Sequence, residues 1–76
     1  MKTIRLSDMK SGEKGRIMEI LGGRSMKQQL TTIGLREGKN ITVVAKEPVG
    51  GPIVVRAGHM TFTIGRGKAS KIMLEQ

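Results

Sequence analysis

The groups in this 76-residue chain that could do chemistry are a single histidine, a few acidic residues, scattered serines and one Gly-Arg-Gly-Lys run. His59 could join Glu47 or Glu75 around a cation. A transition-metal site of that kind draws on at least two imidazoles plus a carboxylate, and the chain has one His and no Cys. His59 therefore reads as the polar residue of a tight turn, and no metal ligand is expected within one chain. Gly65-Arg66-Gly67-Lys68-Ala69-Ser70 shares a Gly-Lys pair with phosphate loops. Phe62 and Ala69 stand where that pattern needs Gly and Ser or Thr, so no nucleotide or other cofactor is expected. Ser7, Ser11, Ser25 and Ser70 have only His59 as a base, and each sits where a turn or helix cap favours serine. No catalytic residue emerges, and an enzyme is not expected.

Recognition is the remaining class. Phe62 is the only aromatic residue, which excludes the Trp- and Tyr-lined groove that holds Pro-rich peptides and leaves no stacking platform for nucleic-acid bases. Fourteen Lys and Arg against six acidic residues give a formal charge of +8, spread along the chain without a basic tail or lipid-anchoring block. This field attracts phosphates without reading sequence. A small basic nucleic-acid-binding barrel is thus the alternative function, with no specific nucleic acid implied. Two stretches offer groups for protein contact: Gly22-Gly23-Arg24 with Met26, and the Pro48-Val49-Gly50 loop tip. Met26 reads as readily as a core residue, and the glycines as turn formers.

The elements that must position these loops form one small domain, residues 1–76. A chain of this size buries only ~60% of its unfolded surface. Without Cys, a reducing, cytoplasmic setting is expected. No apolar run approaches a membrane span or signal peptide, so neither insertion nor export is expected.

The organising stretch is Ile41 to Ala57, two β-branched runs around Pro48-Val49-Gly50-Gly51-Pro52, which reads as a hairpin. Its register predicts Ile41, Val43 and Ala45 on one face, opposite Ile53, Val55 and Ala57. Upstream, Leu6 and Met9 are spaced as in one helical turn, and Lys14 to Leu21 reads as the first strand. Ser25 and Gln28 suggest a capping box, and Met26, Leu30 and Ile33 an apolar stripe aimed at the hairpin. Gly34 should close the helix in a Schellman motif that joins Leu30 to Leu35. Downstream, Met60, Phe62 and Ile64 alternate inward, residues 65–70 make a turn, and Ile72 and Leu74 close the sheet. Five short strands in so few residues share one interior only by curling. The expected fold is mainly β: a small five-stranded SH3-like barrel with one short helix over about residues 25–33.

These residues also carry a resemblance. Leu6, Gly12, Gly15, Ile17 and Ile20, then Gly22-Gly23, Leu30-x-x-Ile33-Gly34-Leu35-x-x-Gly38-x-x-Ile41, Pro48-x-Gly50-Gly51-Pro52-Ile53 and Ala69-x-x-Ile72 together resemble the ferrous iron transport protein A (FeoA) family. The pattern also looks like the C-terminal domain of iron- and manganese-responsive repressors. With only a start Met and a few residues before the pattern, no helix-turn-helix domain of a repressor is expected, which favours the transport accessory. The resemblance implies a cytosolic SH3-like protein that regulates ferrous iron uptake by contacting a GTP-dependent inner-membrane permease on its cytosolic side, without transporting iron itself. No intrinsic iron site is expected. A third reading, metal shared between self-associating chains, stays open, as does weak homo-oligomerisation through edge strands.

Overall fold

The computed structural model describes residues 2–47 and 49–76. Six strands form a single antiparallel sheet: β1 (Thr3–Arg5), β2 (Lys14–Ile20), β3 (Asn40–Lys46), β4 (Ile53–Ala57), β5 (Met60–Ile64) and β6 (Ile72–Glu75). Their order is β1-β6-β2-β3-β4-β5, so the ladder does not close on itself and β1 and β5 are its edges. Helix α1 (Arg24–Thr32) links β2 to β3, a 3-10 turn (Leu6–Asp8) follows β1, and a single-turn helix α2 (Arg66–Ala69) links β5 to β6. The mainly β, SH3-like expectation is met with one strand more than the five read from sequence. The addition is β1, which pairs Thr3, Ile4 and Arg5 with Glu75, Leu74 and Met73.

One apolar interior serves all six strands. Leu6, Met9, Ile17, Leu35, Val43, Ile53, Val55, Ile72 and Leu74 are almost wholly removed from solvent, each apolar side chain worth roughly 1.5–3 kcal/mol of burial. Gly15 faces this core opposite Ile41, and a Cβ there would approach Leu74 Cβ to 3.1 Å, so its bareness admits Leu74.

Two one-residue bulges set the inward pattern. In β2 the pairing steps from Ile17↔Leu74 to Glu19↔Met73, which sets Met18 aside and returns Ile20 to the interior. In β3 it steps from Val43↔Val55 to Ala45↔Val54, and the expected face changes: Ala45 points out and Lys46 turns inward. Ile41, Val43, Ile53, Val55 and Ala57 are buried as their alternation requires, whereas Ala45 is corrected by the bulge.

Helix α1 departs from its expected start and stripe. Its N-cap is Gly23, extended at φ −76° and ψ 166°, and Ser25 lies inside the helix without a side-chain cap. Leu30 is buried and Met26 packs against the core from a half-buried position, but Ile33, the C-cap residue, is 48% exposed. The C-terminal motif forms as expected. Gly34 at φ +106° lets Leu35 N–H donate to Leu30 O at 2.8 Å and Gly34 N–H to Thr31 O at 3.1 Å, with Leu30 and Leu35 both buried. Met60 is likewise corrected, being exposed at the start of the edge strand, while Phe62 is half-buried and Ile64 buried.

Candidate functional site

Residues 22–26 are built by backbone conformation rather than by caps. Gly22 adopts φ +101°, and a Cβ on it would lie 3.3 Å from Met26 Sδ, so the bend needs glycine for its angle and for room beside Met26. Gly23 then opens the helix, its carbonyl accepting from Lys27 N–H at 3.2 Å. Arg24 is the first helical residue, exposed, with no acidic residue in that turn. A cation there opposes the helix dipole, an unfavourable contribution of about 0.3–1 kcal/mol. Among the described residues the ion pairs are Arg16–Glu75 and Lys27–Glu37, and neither involves Arg24.

The loop between β3 and β4 carries the second predicted group. Pro48 lies outside the described residues. Val49 is fully exposed at φ +60° and Gly50 follows at φ +76°, two consecutive residues in the left-handed region, which suits Asn, Asp or Gly far better than a β-branched residue. Glu47 N–H donates to Pro52 O at 3.2 Å to close the loop, and any Cβ on Gly51 would collide with Glu47 Cβ.

Two cations that sequence reasoning did not single out anchor this loop. Lys46, turned in by the β3 bulge, donates to Ser7 O at 2.7 Å and Met9 O at 2.9 Å. Arg66 of α2 reaches Ser7 O and Glu47 O, each at 3.4 Å, and its Nε is buried without a hydrogen-bond partner among the described residues. The loop is thereby tied to the 3-10 turn and α2. Among the described residues no hydrogen bond or ion pair joins it to residues 22–26. Nothing in the spacing of Lys46 or Arg66 announces these contacts, because their acceptors are main-chain carbonyls distant in sequence.

A groove of about 660 Å³ runs over the outer face of β2, β3 and β4. The register aligns Lys14 with Thr42 and Thr42 with Arg56, and Arg16 lies beside them, paired to Glu75 at 2.5 Å. This cationic face can meet phosphate oxygens but presents no ring to a base, since Phe62 packs against the core. Glu13, at the turn before β2, is held below the usual carboxylate range by the hydrogen bond from Lys10 N–H at 2.6 Å, with help from Gln76. His59 is exposed in the two-residue turn between β4 and β5, with Gly58 before it at φ +64°. Among the described residues no group of three His, Asp or Glu side chains is placed to hold a metal ion, and no helix is long and apolar enough to cross a membrane.

A curved sheet that commits its inward side chains to the core and offers shaped loops outside defines a small SH3-like module. The FeoA domain model matches residues 4–76, and the chain belongs to the FeoA family. A protein of Methanocaldococcus jannaschii assigned as an Fe(2+) transport protein A is 31% identical over 70 residues, covering 92% of this chain and 83% of that one. In Porphyromonas gingivalis, a fusion of Fe(2+) transport protein A with the Fe(2+) transporter FeoB is 29% identical over 72 residues; the match covers 95% of this chain and 8% of the fusion. The crystal structure of an iron uptake regulatory protein, FeoA, superposes with a TM-score of 0.90 at 38% identity and 97% coverage of both chains. The fold alone is shared with a manganese-dependent transcriptional repressor (TM-score 0.87, 22% identity, 95% of this chain and 40% of that one). It is shared too with a zinc-complexed FeoA of Stenotrophomonas maltophilia described as a procaryotic SH3 domain protein (TM-score 0.76, 21% identity, 95% and 89%). The resemblances read from sequence, to FeoA and to metal-responsive repressors, are both found.

Proposed function

We propose that this protein is a regulatory accessory of ferrous iron uptake that touches the cytosolic side of a GTP-dependent iron permease. The observation that carries the reading is the Porphyromonas gingivalis fusion, in which a domain like this one is covalently joined to the transporter FeoB. Tethering holds two partners at millimolar effective concentration, which favours a contact that a separate chain makes by surface affinity alone. Gly22, Gly23, Arg24 and Met26 form one contact surface, and Pro48, Val49 and Gly50 the other. Arg24 supplies a cation without an ion-pair partner among the described residues, and Val49 an apolar tip that the fold leaves fully in solvent. Both sit on backbone fixed by neighbours, so little ordering is lost on binding.

The test is capture of this chain by the permease's isolated GTPase domain and by the full-length permease, each with GDP and with a non-hydrolysable GTP analogue. Retention at moderate salt, weakened about tenfold or more by Arg24→Glu or Val49→Asp, is expected, since central interface residues commonly contribute more than 1 kcal/mol. Absence of retention by either form in both nucleotide states overturns the reading.

A further inference from the structure

We propose that two copies of this chain pair antiparallel through strand β5, with a two-fold axis at Phe62. The strand ends the sheet, bonded on one side to β4 only. It is Met60-Thr61-Phe62-Thr63-Ile64, the one strand of the six without a charged residue; the other edge, β1, ends in Arg5. Soluble proteins usually guard free edges with charge, proline or a covering loop, so an uncharged, β-prone edge is a pairing surface.

The register states which groups are free. Gly58-His59 is a two-residue turn, so Ala57 and Met60 exchange main-chain hydrogen bonds, and the alternation continues through Val55↔Phe62 to Ile53↔Ile64. Thr61 and Thr63 fall at the intervening positions, opposite Arg56 and Val54, and direct their N–H and C=O groups away from β4. No other hydrogen bond among the described residues takes up those groups, and both threonines are exposed.

The sequence of the edge is nearly the same read in either direction: apolar, Thr, Phe, Thr, apolar. A two-fold contact needs such self-complementarity. Centred on Phe62, the pairing sets Thr61 against the second copy's Thr63 and Thr63 against its Thr61, giving four main-chain hydrogen bonds and two favourable Thr–Thr pairs. On the other face, Phe62 meets its equivalent and Ile64 meets the second copy's Met60. That methionine, 59% exposed in a single chain, is then carried toward the groove of about 430 Å³ lined by Leu30 of α1 and its C-cap Ile33 with Thr63, Ile64 and Lys68. Ile33, unexplained by the core at 48% exposure, gains a partner there.

A five-residue edge buries less than the ~1,000 Å² of a durable interface, so the dimer is weak, with a dissociation constant of about 0.1–1 mM. Two copies at +8 each repel, so added salt strengthens the pairing, opposite to a contact with an acidic partner or nucleic acid.

Sedimentation velocity from about 10 μM to about 1 mM chain, in about 0.5 M salt, tests this together with NMR amide exchange. The wild type is expected to show a mass that rises with concentration, and slower exchange at Thr61 and Thr63. Thr61→Lys with Thr63→Lys sets Lys against Lys twice and abolishes the association. Thr61→Glu with Thr63→Lys keeps the wild-type charge, sets Glu against Lys twice, and restores it, the two constants differing about tenfold or more. Strictly monomeric behaviour, association equal in the two variants, protection confined to other amides, or uptake of a foreign strand by an edge that never pairs with its own copy would each overturn the proposal.

Discussion

Replacing Val49 separates what the fold prefers from what the proposed surface needs. At φ +60° a β-branched side chain stores about 1–3 kcal/mol of strain, and its complete exposure means that its removal forfeits no packing. Val49→Gly relieves the strain but loosens the unfolded chain by about 0.4–1 kcal/mol, so the net expected gain is about 1 kcal/mol. For a domain this small that gain raises Tm by about 4–8 °C. Val49→Asn should gain at least as much, because Asn tolerates the left-handed region without the added backbone freedom of glycine. Thermal and urea unfolding followed by far-UV circular dichroism measures both, the chain having no Trp or Tyr to report by fluorescence. An unchanged or lowered Tm in both variants refutes the strain argument. A raised Tm with undiminished permease retention leaves the strain argument standing and removes Val49 from the contact surface.

Lys46→Met keeps the aliphatic stem but deletes the donors to Ser7 O and Met9 O, leaving Met9 O without this bond and Ser7 O with only the 3.4 Å contact from Arg66. A loss of about 1–3 kcal/mol is expected in urea unfolding; loss below a few tenths would show that those carbonyls are served otherwise. Glu13 has its folded carboxyl held below the ordinary value of 4.5, so its contribution is fully present above that pH and is lost as pH falls through the lower folded value. Between neutral pH and that window its share of the stability is flat, and Glu13→Gln should flatten the acid side of the stability profile. An acid limb identical to wild type would assign the loss to other carboxylates.

Local signals were legible in the sequence where cause and consequence lie within a few residues. The Leu30, Gly34 and Leu35 closure was readable because one glycine's positive φ and two apolar neighbours specify it completely. The β3–β4 hairpin followed from β-branched runs around Gly and Pro. Strand β1 was not readable as a strand, since three residues are too few to show alternation and β6 supplies their pairing. Ala45 and Lys46 exchanged faces because a bulge at Val44 shifts the period by one, which a strict alternation of two does not anticipate. Ile33 and Met60 were assigned inward by periodicity, yet one caps a helix and the other begins an edge strand, where the described residues leave about half of each in solvent. The candidate surface was legible as loops, from glycine spacing, but not its supports: Lys46 and Arg66 act on carbonyls brought near only by the curvature of the sheet.

As proposed, this small, strongly basic SH3-like module acts by specific contact with an iron permease, not by its charge alone. The direct measurement titrates labelled chain against purified full-length permease in nanodiscs, in each nucleotide state, at physiological salt and with heparin as a competing polyanion. Saturable binding that survives heparin and falls about tenfold or more with Arg24→Glu is the predicted result. Binding that heparin abolishes, or none in either nucleotide state, rules out the specific contact.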